Sequence, residues 1–481
     1  MSTAEWTEKF YAATIGLAKK VDAKAVTYTE SADRLRALVR TGLLRHTDLH
    51  TNPERFFLAH RILAKHSSEV GPGYWVRFTV HMNLCAGTVL ALGSAVQQKE
   101  LDVWQKEGLL GCFALTEKLA GVASGLVVNT QADYDPASET FTLNSPDRGA
   151  WKNWISQGLV ADKTVAIADL RILGKSFGPH AFLLNLREGA TRQLVPGITC
   201  EDMGLKTIGN DLDNAALCFD KVKIPKSALL DKFATIDGDQ YKQKVQGVPV
   251  FHMIGARLFT GRVAVAQAAL EFRRGLFDRT NAYADAKLCW APGPSGSRQL
   301  SSVPQLKALF EENERSIADL DRFVAKCEAQ ICAALTGGKL PGLPLIEAIA
   351  VAKVKAVEDS IAICHRLQQE VGSYALMVGS GFENIDFLTC CKFAEGDSRV
   401  LMTKMARDRL KVFERKQKHT DRSMWDSETS MCGELAACIA SDTRTAGGDQ
   451  QKAWDENWED VYALAGCVMD STREAFMAGA H

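Results

Sequence analysis

Apolar residues recur every three or four positions over Ala4–Val21, Ala32–Leu44 and Pro53–Ala64, the spacing that buries one face of an α-helix. Asn52 and Pro53 form a cap and first-turn pair, predicting that the third helix starts at Pro53. His81–Gln98 is crowded with small residues (Ala86, Gly87, Ala91, Gly93, Ala95), which predicts close helix packing. Near Gly111 the pattern changes to short β-rich runs bounded by turn residues: Ala123–Ala132, Thr140–Asn144, Thr164–Leu173, His180–Arg187 and Ala215–Ile224. Asp133–Pro136 reads as a turn, and Pro225 as the stop of the last strand. The helical period returns over Ala264–Gly275, Gln305–Ala334, Leu345–Gly372 and Ser398–Lys416. Gly337-Gly338 and Pro341–Pro344 mark a corner, and Trp290–Ser302 has the composition of a mobile loop. Gln417–Asp426 is polar, and Glu428–Ala478 predicts one or two helices joined at Thr445–Gly448. The expected organisation is a helical part over 1–110, a β part over 111–235, a helical bundle over 245–416 and a helical extension over 417–481.

Charge and cysteines narrow the function class. The 57 Lys and Arg against 58 Asp and Glu give a net charge of −1, without the basic excess of a nucleic-acid binder or a polybasic membrane module. The 13 cysteines show no Cys-x-x-Cys pair; Cys390 and Cys391 are adjacent and Cys327 and Cys332 five apart, spacings unsuited to tetrahedral zinc. No metal is expected, and the thiols read as buried groups in a reducing compartment. The most apolar stretch, Val76–Val96, is interrupted by Arg77, His81 and Asn83, so no membrane span is predicted. Glu5 and Glu8 at the start speak against a signal peptide, and Ala478–His481 is not a Ser-Lys-Leu-type address. The expected location is soluble and intracellular, cytoplasmic or peroxisomal.

No P-loop, Gly-x-Gly-x-x-Gly after a strand, His-Glu-x-x-His or Gly-x-Ser-x-Gly elbow is present. Three other strings stand out. The first is Gly111-Cys112-Phe113-Ala114-Leu115-Thr116-Glu117, followed by Gly121. The second is Lys152-Asn153-Trp154-Ile155-Ser156-Gln157-Gly158. The third is Lys392-Phe393-Ala394-Glu395-Gly396-Asp397-Ser398, running into a helix with Arg399, Arg407 and Arg409. Taken singly, the first is a strand entering a glycine turn, the second a buried Trp at a strand start, and Glu395 a solvated acid at a helix N-terminus. Together, and with Asn52–Phe57 and His60-Arg61 upstream, they resemble the acyl-CoA oxidase and acyl-CoA dehydrogenase superfamily over about residues 45–416.

The resemblance implies an α+β fold: an N-terminal helical domain, a middle β-barrel-like domain and a C-terminal four-helix bundle, here with a short helical extension. It implies FAD, with Phe113, Thr116, Gly121, Trp154 and Ser156 along the flavin and Arg279 reaching the phosphates, from a neighbouring subunit in some arrangements. Arg257 and Gly396 would meet the acyl-CoA. Glu395 would remove the α-proton of the thioester, a task for which burial raises a carboxylate toward a useful base. The activity implied is α,β-oxidation of a fatty acyl-CoA to the trans-2-enoyl-CoA in a homodimer or higher homo-oligomer, with dioxygen as acceptor and hydrogen peroxide as product. Alternatives are a dehydrogenase passing electrons to an electron-transferring flavoprotein, or a non-catalytic assembly or binding relative. Lys118-Leu119-Ala120 after the first string departs from the family, and Ser156 is the hydroxyl residue of dehydrogenases where many oxidases have Gly.

Overall fold

The computed structural model describes residues 1–18, 26–122, 124, 127–189, 191–244, 250–294, 296–416, 426–445 and 447–479. The N-terminal helices are α1 (Thr3–Ala13), α2 (Ile15–Ala18), α3 (Tyr28–Arg40), α4 (Asp48–Thr51), α5 (Pro53–Lys65), α6 (Ser67–Val70), α7 (Tyr74–Thr79), α8 (Gly87–Leu92) and α9 (Ala95–Glu107). Between α7 and α8 the chain continues as a π-helix, Val80–Ala86. Helix α5 starts at Pro53 as expected, although the Asn52 side chain makes no capping bond. Helix α3 is closed by a reciprocal capping box, Thr27 with Glu30. The small-residue stretch does not form one helix: Gly93 ends α8 in extended conformation and Ser94 caps α9.

The strands are β1 (Gly111–Ala114), β2 (Gln131–Asp135), β3 (Thr140–Asn144), β4 (Lys152–Ser156), β5 (Lys163–Ile172), β6 (Lys175–Asn185), β7 (Ile198–Asp202), β8 (Asn214–Phe219), β9 (Val222–Pro225), β10 (Ala234–Asp237) and β11 (Gln240–Gln243). The long strand β5 organises the larger sheet. One edge takes β1 and β2 end to end, both parallel, and the other edge takes β6 antiparallel. Strands β3 and β9 extend the sheet beyond β2, while β4, β8 and β7 form a second antiparallel sheet. The two sheets enclose a β core containing Phe141, Leu170, Phe182, Leu217 and Phe219. Alternate residues of β5 serve two cores: Ala166, Ala168 and Leu170 face the other sheet, whereas Val165 and Ile167 join the helices.

Several sequence expectations are corrected here. Among the described residues of the run 123–132 only the end is strand, because β2 begins at Gln131, and 123, 125 and 126 lie outside the described residues; Asp133–Asp135 belong to β2 rather than to a turn. Ala215–Ile224 is two strands, broken where Lys221 adopts φ +51°. Leu288–Trp290 and Ser297–Gln299 form an antiparallel hairpin, β12 and β13, where a mobile loop was expected.

The C-terminal helices are α10 (Val250–Ala286), α11 (Pro304–Thr336), α12 (Leu343–Val371), α13 (Asp386–Phe393), α14 (Ser398–Lys416), α15 (Ser427–Thr445), α16 (Gln450–Glu456) and α17 (Trp458–Ala478). Among its described residues the extension thus holds three helices rather than one or two, and the polar segment 417–425 lies outside the described residues. Helices α10, α11 and α12 pack on one another and α10 also on α5, so the N- and C-terminal helices share one hydrophobic core with the helix-facing side of the β part. The architecture is a mixed α+β fold: helices, a curled β half-barrel, then a helical bundle with a short extension.

Candidate active site

The third string occupies the link between α13 and α14. Ala394 closes α13 by donating its N–H to Cys390 O at 3.0 Å. Asp397 opens α14, its Oδ1 accepting from the Arg399 N–H at 2.7 Å as a capping carboxylate does. Between them Glu395 has φ +58° and Gly396 φ +100°. A left-handed non-glycine residue costs about 1–2 kcal/mol, so the turn must be held from outside. Two side chains hold it. Lys353 Nζ donates to Lys392 O at 2.6 Å, Gly396 O at 2.9 Å and Ser398 Oγ at 3.1 Å. Arg262 Nε donates to Glu395 O at 3.0 Å. Gly396 is required on its own account, since a Cβ there would stand 3.3 Å from the Arg262 guanidinium on a left-handed backbone.

The Glu395 side chain is only 8% exposed and lies against α10 at Gly261. A Cβ on Gly261 would be 2.2 Å from Glu395 Cδ, so glycine makes the room the carboxylate occupies. Neither carboxylate oxygen has a partner of regular hydrogen-bond geometry. Burial pushes the carboxyl up to about 8, against the pull of Arg262, of Lys353 and of Asn83, which stands close enough to weigh on the proton. Gly261, Arg262 and Lys353 escape the sequence reading. The signals were a glycine inside a helix, costing about 1 kcal/mol relative to alanine, and a lysine within the apolar run Ile349–Val354.

The first two strings meet edge to edge. Thr116 follows β1 and is exposed, and its carbonyl accepts from the Asn153 N–H at 2.8 Å. Strand β4 bulges between Lys152 and Ile155. Within the bulge Trp154 takes φ +57° and stands 57% exposed, so it is displayed rather than buried at a strand start. Ser156 Oγ accepts from Asn214 Nδ2 at 3.2 Å. Behind this pair lies a buried ion pair, Lys152 Nζ to Glu117 Oε1 at 2.8 Å. Lys152 also donates to Ile167 O at 2.6 Å, while Glu117 accepts from the Asn129 and Thr130 N–H groups at 2.7 and 2.9 Å. Burial lowers Lys152 to about 8 despite Glu117. Breaking a buried pair from one side costs about 3–5 kcal/mol, so Lys152→Met is expected to lower the unfolding free energy by that amount, read as a lower denaturant midpoint at unchanged slope in equilibrium unfolding.

Phe113 is buried in the helical core. Gly121 is exposed, donates its N–H to Ser124 Oγ at 2.9 Å, and among the described residues nothing beyond its chain neighbours lies within 4 Å of a Cβ position. Arg279 sits inside α10, beside Gly381 and eighteen residues beyond Gly261, about 27 Å at the helical rise. Within one chain it is not brought to Glu395. Arg257 also lies on α10, and its side chain is outside the described part of the chain.

The π-helix joins the Glu395 turn to the β strings. Asn83 stands by Glu395, while His81 Nδ1 accepts from the Gly111 N–H at 3.1 Å, at the start of β1. That bond fixes a proton on His81 Nε2, which donates to His46 Nε2 at 2.9 Å; His46 Nδ1 then donates to Leu101 O at 3.2 Å. Burial keeps both rings neutral, His46 lowered to about 4. Large apolar side chains stand uncovered at each string, Leu119 and Val122 just after the first, Trp154 in the second and Phe393 in the third. An exposed hydroxyl, an exposed aromatic on a bulge and uncovered apolar surface fit a large planar group such as a flavin.

No protein-family model matches the sequence. Over 216 residues the chain is 33% identical to an acyl-coenzyme A oxidase of Kluyveromyces lactis, covering 43% of this chain and 28% of that protein. Over 250 residues it is 30% identical to the peroxisomal acyl-coenzyme A oxidase 2 of Arabidopsis thaliana, covering 50% of this chain and 35% of that protein. Among the first such relatives the matched span is between 28% and 49% of their length. The fold superposes on acyl-CoA oxidase 1 of Yarrowia lipolytica with a TM-score of 0.76 at 19% identity, over 99% of this chain and 76% of that one. It superposes on butyryl-CoA dehydrogenase of Megasphaera elsdenii with a TM-score of 0.62 at 20% identity, over 84% and 97%. The sequence is similar to those of acyl-CoA oxidases and the fold to those of acyl-CoA oxidases and dehydrogenases, matching the acyl-CoA oxidase and acyl-CoA dehydrogenase superfamily.

Proposed function

We propose that this chain oxidises the α,β bond of a fatty acyl-CoA to the trans-2-enoyl-CoA, using FAD and passing the electrons to dioxygen. The observation that carries the reading is the Glu395 carboxylate: buried, in a left-handed turn, without a regular hydrogen-bond partner, and raised to about 8. A carboxylate so placed is free to take a proton from carbon, and its elevated proton affinity makes it a stronger base than a solvated one. FAD, when bound, supplies acceptance of the β-hydride. Thr116, Trp154 and Ser156 hold and cover it in this reading, and Gly396 keeps the backbone slim where the thioester lies. Arg262 and Lys353 bind the surrounding backbone and Ser398 rather than the carboxylate, so neither cation occupies the oxygens of the base.

Arg279, remote from Glu395 along α10, serves the FAD of a second copy in this reading, so a homodimer or higher homo-oligomer is part of the proposal. The proposed setting is a reducing intracellular compartment, supported by the free state of all 13 cysteines. No helix of the described residues is long and apolar enough to cross a membrane.

The test is a spectrum followed by stopped flow. The purified protein is expected to be yellow, to bleach on adding acyl-CoA without air, and to recover within seconds when air is admitted. A colourless protein that binds no FAD would sink the reading. The anaerobic bleaching rate should rise with pH through about 8 as Glu395 gives up its proton, since only the ionised carboxylate acts as a base. A second reading, with an electron-transferring flavoprotein as acceptor, is favoured by Ser156 and by the near-complete coverage of the Megasphaera dehydrogenase. Reduced enzyme that persists for minutes in air would select it.

A further inference from the structure

We propose that Lys353 is a positioning residue for the Glu395 turn: its ammonium ties the end of α13 and the Gly396 carbonyl to the first residue of α14, so that the carboxylate is held in place without the lysine bonding to it. The inference rests on the reading of Glu395 as the base. Its geometry is complete: three N–H donors meet three acceptors, Lys392 O, Gly396 O and Ser398 Oγ, on both sides of Glu395. Lys353 is fully buried, on α12, and among the described residues it makes no ion pair within bonding distance. Burying a cation without a bonded carboxylate is costly, and an apolar residue in its place would take the short donor from Gly396 O and leave Lys392 O with only the long 3.5 Å bond from Ser398 Oγ. What the lysine secures is the path of residues 393–398, the segment that carries a left-handed non-glycine residue. Arg262, from α10, supplies a single bond to the same segment at Glu395 O.

The ammonium also acts on Glu395 through space, in a setting of charged and titratable groups. Arg262 faces Glu395 with Asn83 beside it, and Cys391, Asp397, Arg262 and Glu358 face Lys353. A nearby positive charge favours the ionised carboxylate, so removing it moves the pH limb of proton abstraction to more alkaline values.

The experiment compares Lys353→Met, Ser398→Ala and Glu395→Gln with the native protein as FAD-loaded full-length chains. For Lys353→Met we expect amide hydrogen exchange at residues 394–398 to quicken at least tenfold while the rest of the chain is unchanged. We also expect acyl-CoA affinity to stay within twofold, anaerobic flavin reduction to slow at least thirtyfold, and its rising pH limb to shift upward. Ser398→Ala, which removes one of the three acceptors and keeps the cation, should quicken the same amides by less, and it stands in if Lys353→Met does not fold. Exchange at 394–398 unchanged in the folded variants, or raised uniformly along the chain, overturns the proposal. Local exchange with unchanged reduction separates the two ideas: an inactive Glu395→Gln then overturns the positioning role, and an active one overturns the assignment of the base.

Discussion

Glu395→Gln is expected to retain the fold and the bound flavin and to slow flavin reduction by acyl-CoA on the order of a thousandfold, within the range of a lost general base. The amide keeps the shape of the side chain in the space left by Gly261, and it removes the buried carboxylate proposed to take the proton. Anaerobic stopped flow at the flavin band measures the loss, and a residual rate within tenfold of the native one would place the base elsewhere. The same variant should be more stable at alkaline pH. Because burial raises the folded-state carboxyl to about 8, the unfolded chain loses this proton first. Native stability therefore falls as pH climbs from the ordinary carboxylate range to about 8, by on the order of a few kcal/mol. Gln carries no such charge, so thermal midpoints of the two proteins should diverge from pH 6 to pH 9, with the variant higher.

Gly261→Ala is expected to separate stability from activity. Alanine improves the helix propensity of α10 by about 1 kcal/mol, yet its methyl would fall 2.2 Å from Glu395 Cδ, and α10, packed on α5, α11 and α12, has no room to withdraw. The carboxylate must swing aside, and a displacement of about 1 Å at a reacting group can cost about a hundredfold in rate. We expect a midpoint within a few degrees of native and a hundredfold fall in flavin reduction with acyl-CoA affinity little altered. A variant as fast as the native protein would show that Glu395 does not work from the position against Gly261.

Much of the fold is legible because local chemistry decides it. Pro53 starts a helix whatever surrounds it, Thr140–Asn144 alternates as a half-buried strand, and Ser398–Lys416 begins at an Asp cap. The hairpin Leu288–Gln299 is not legible, because its Pro-Gly-Ser tip has the composition of a loop while the pairing depends on the few residues at its base. The string around Glu395 is visible as a pattern of letters, but its support is not. Lys353, Arg262 and Gly261 lie on helices between about 40 and 135 residues away, and only the packing of α10, α12 and α13 makes them one structure. The bulge that displays Trp154 is set by β8 across the sheet, which the sequence near Trp154 does not mention.

The π-helix Val80–Ala86 has a consequence for how this chain can change over evolution. Its wider winding stores one residue more than the same stretch of α-helix would use, in a place where such turns are rare and tend to accompany function. Losing a single codon there would let the segment relax to ordinary helix, and everything after it would rotate by about 100°. His81 and Asn83 could not then keep their places at Gly111 and beside Glu395 together. Lineages that need the chemistry should therefore tolerate substitutions in this stretch far better than changes in its length, and a one-residue gap would be an economical mark of a copy that has kept its shape and given up its reaction.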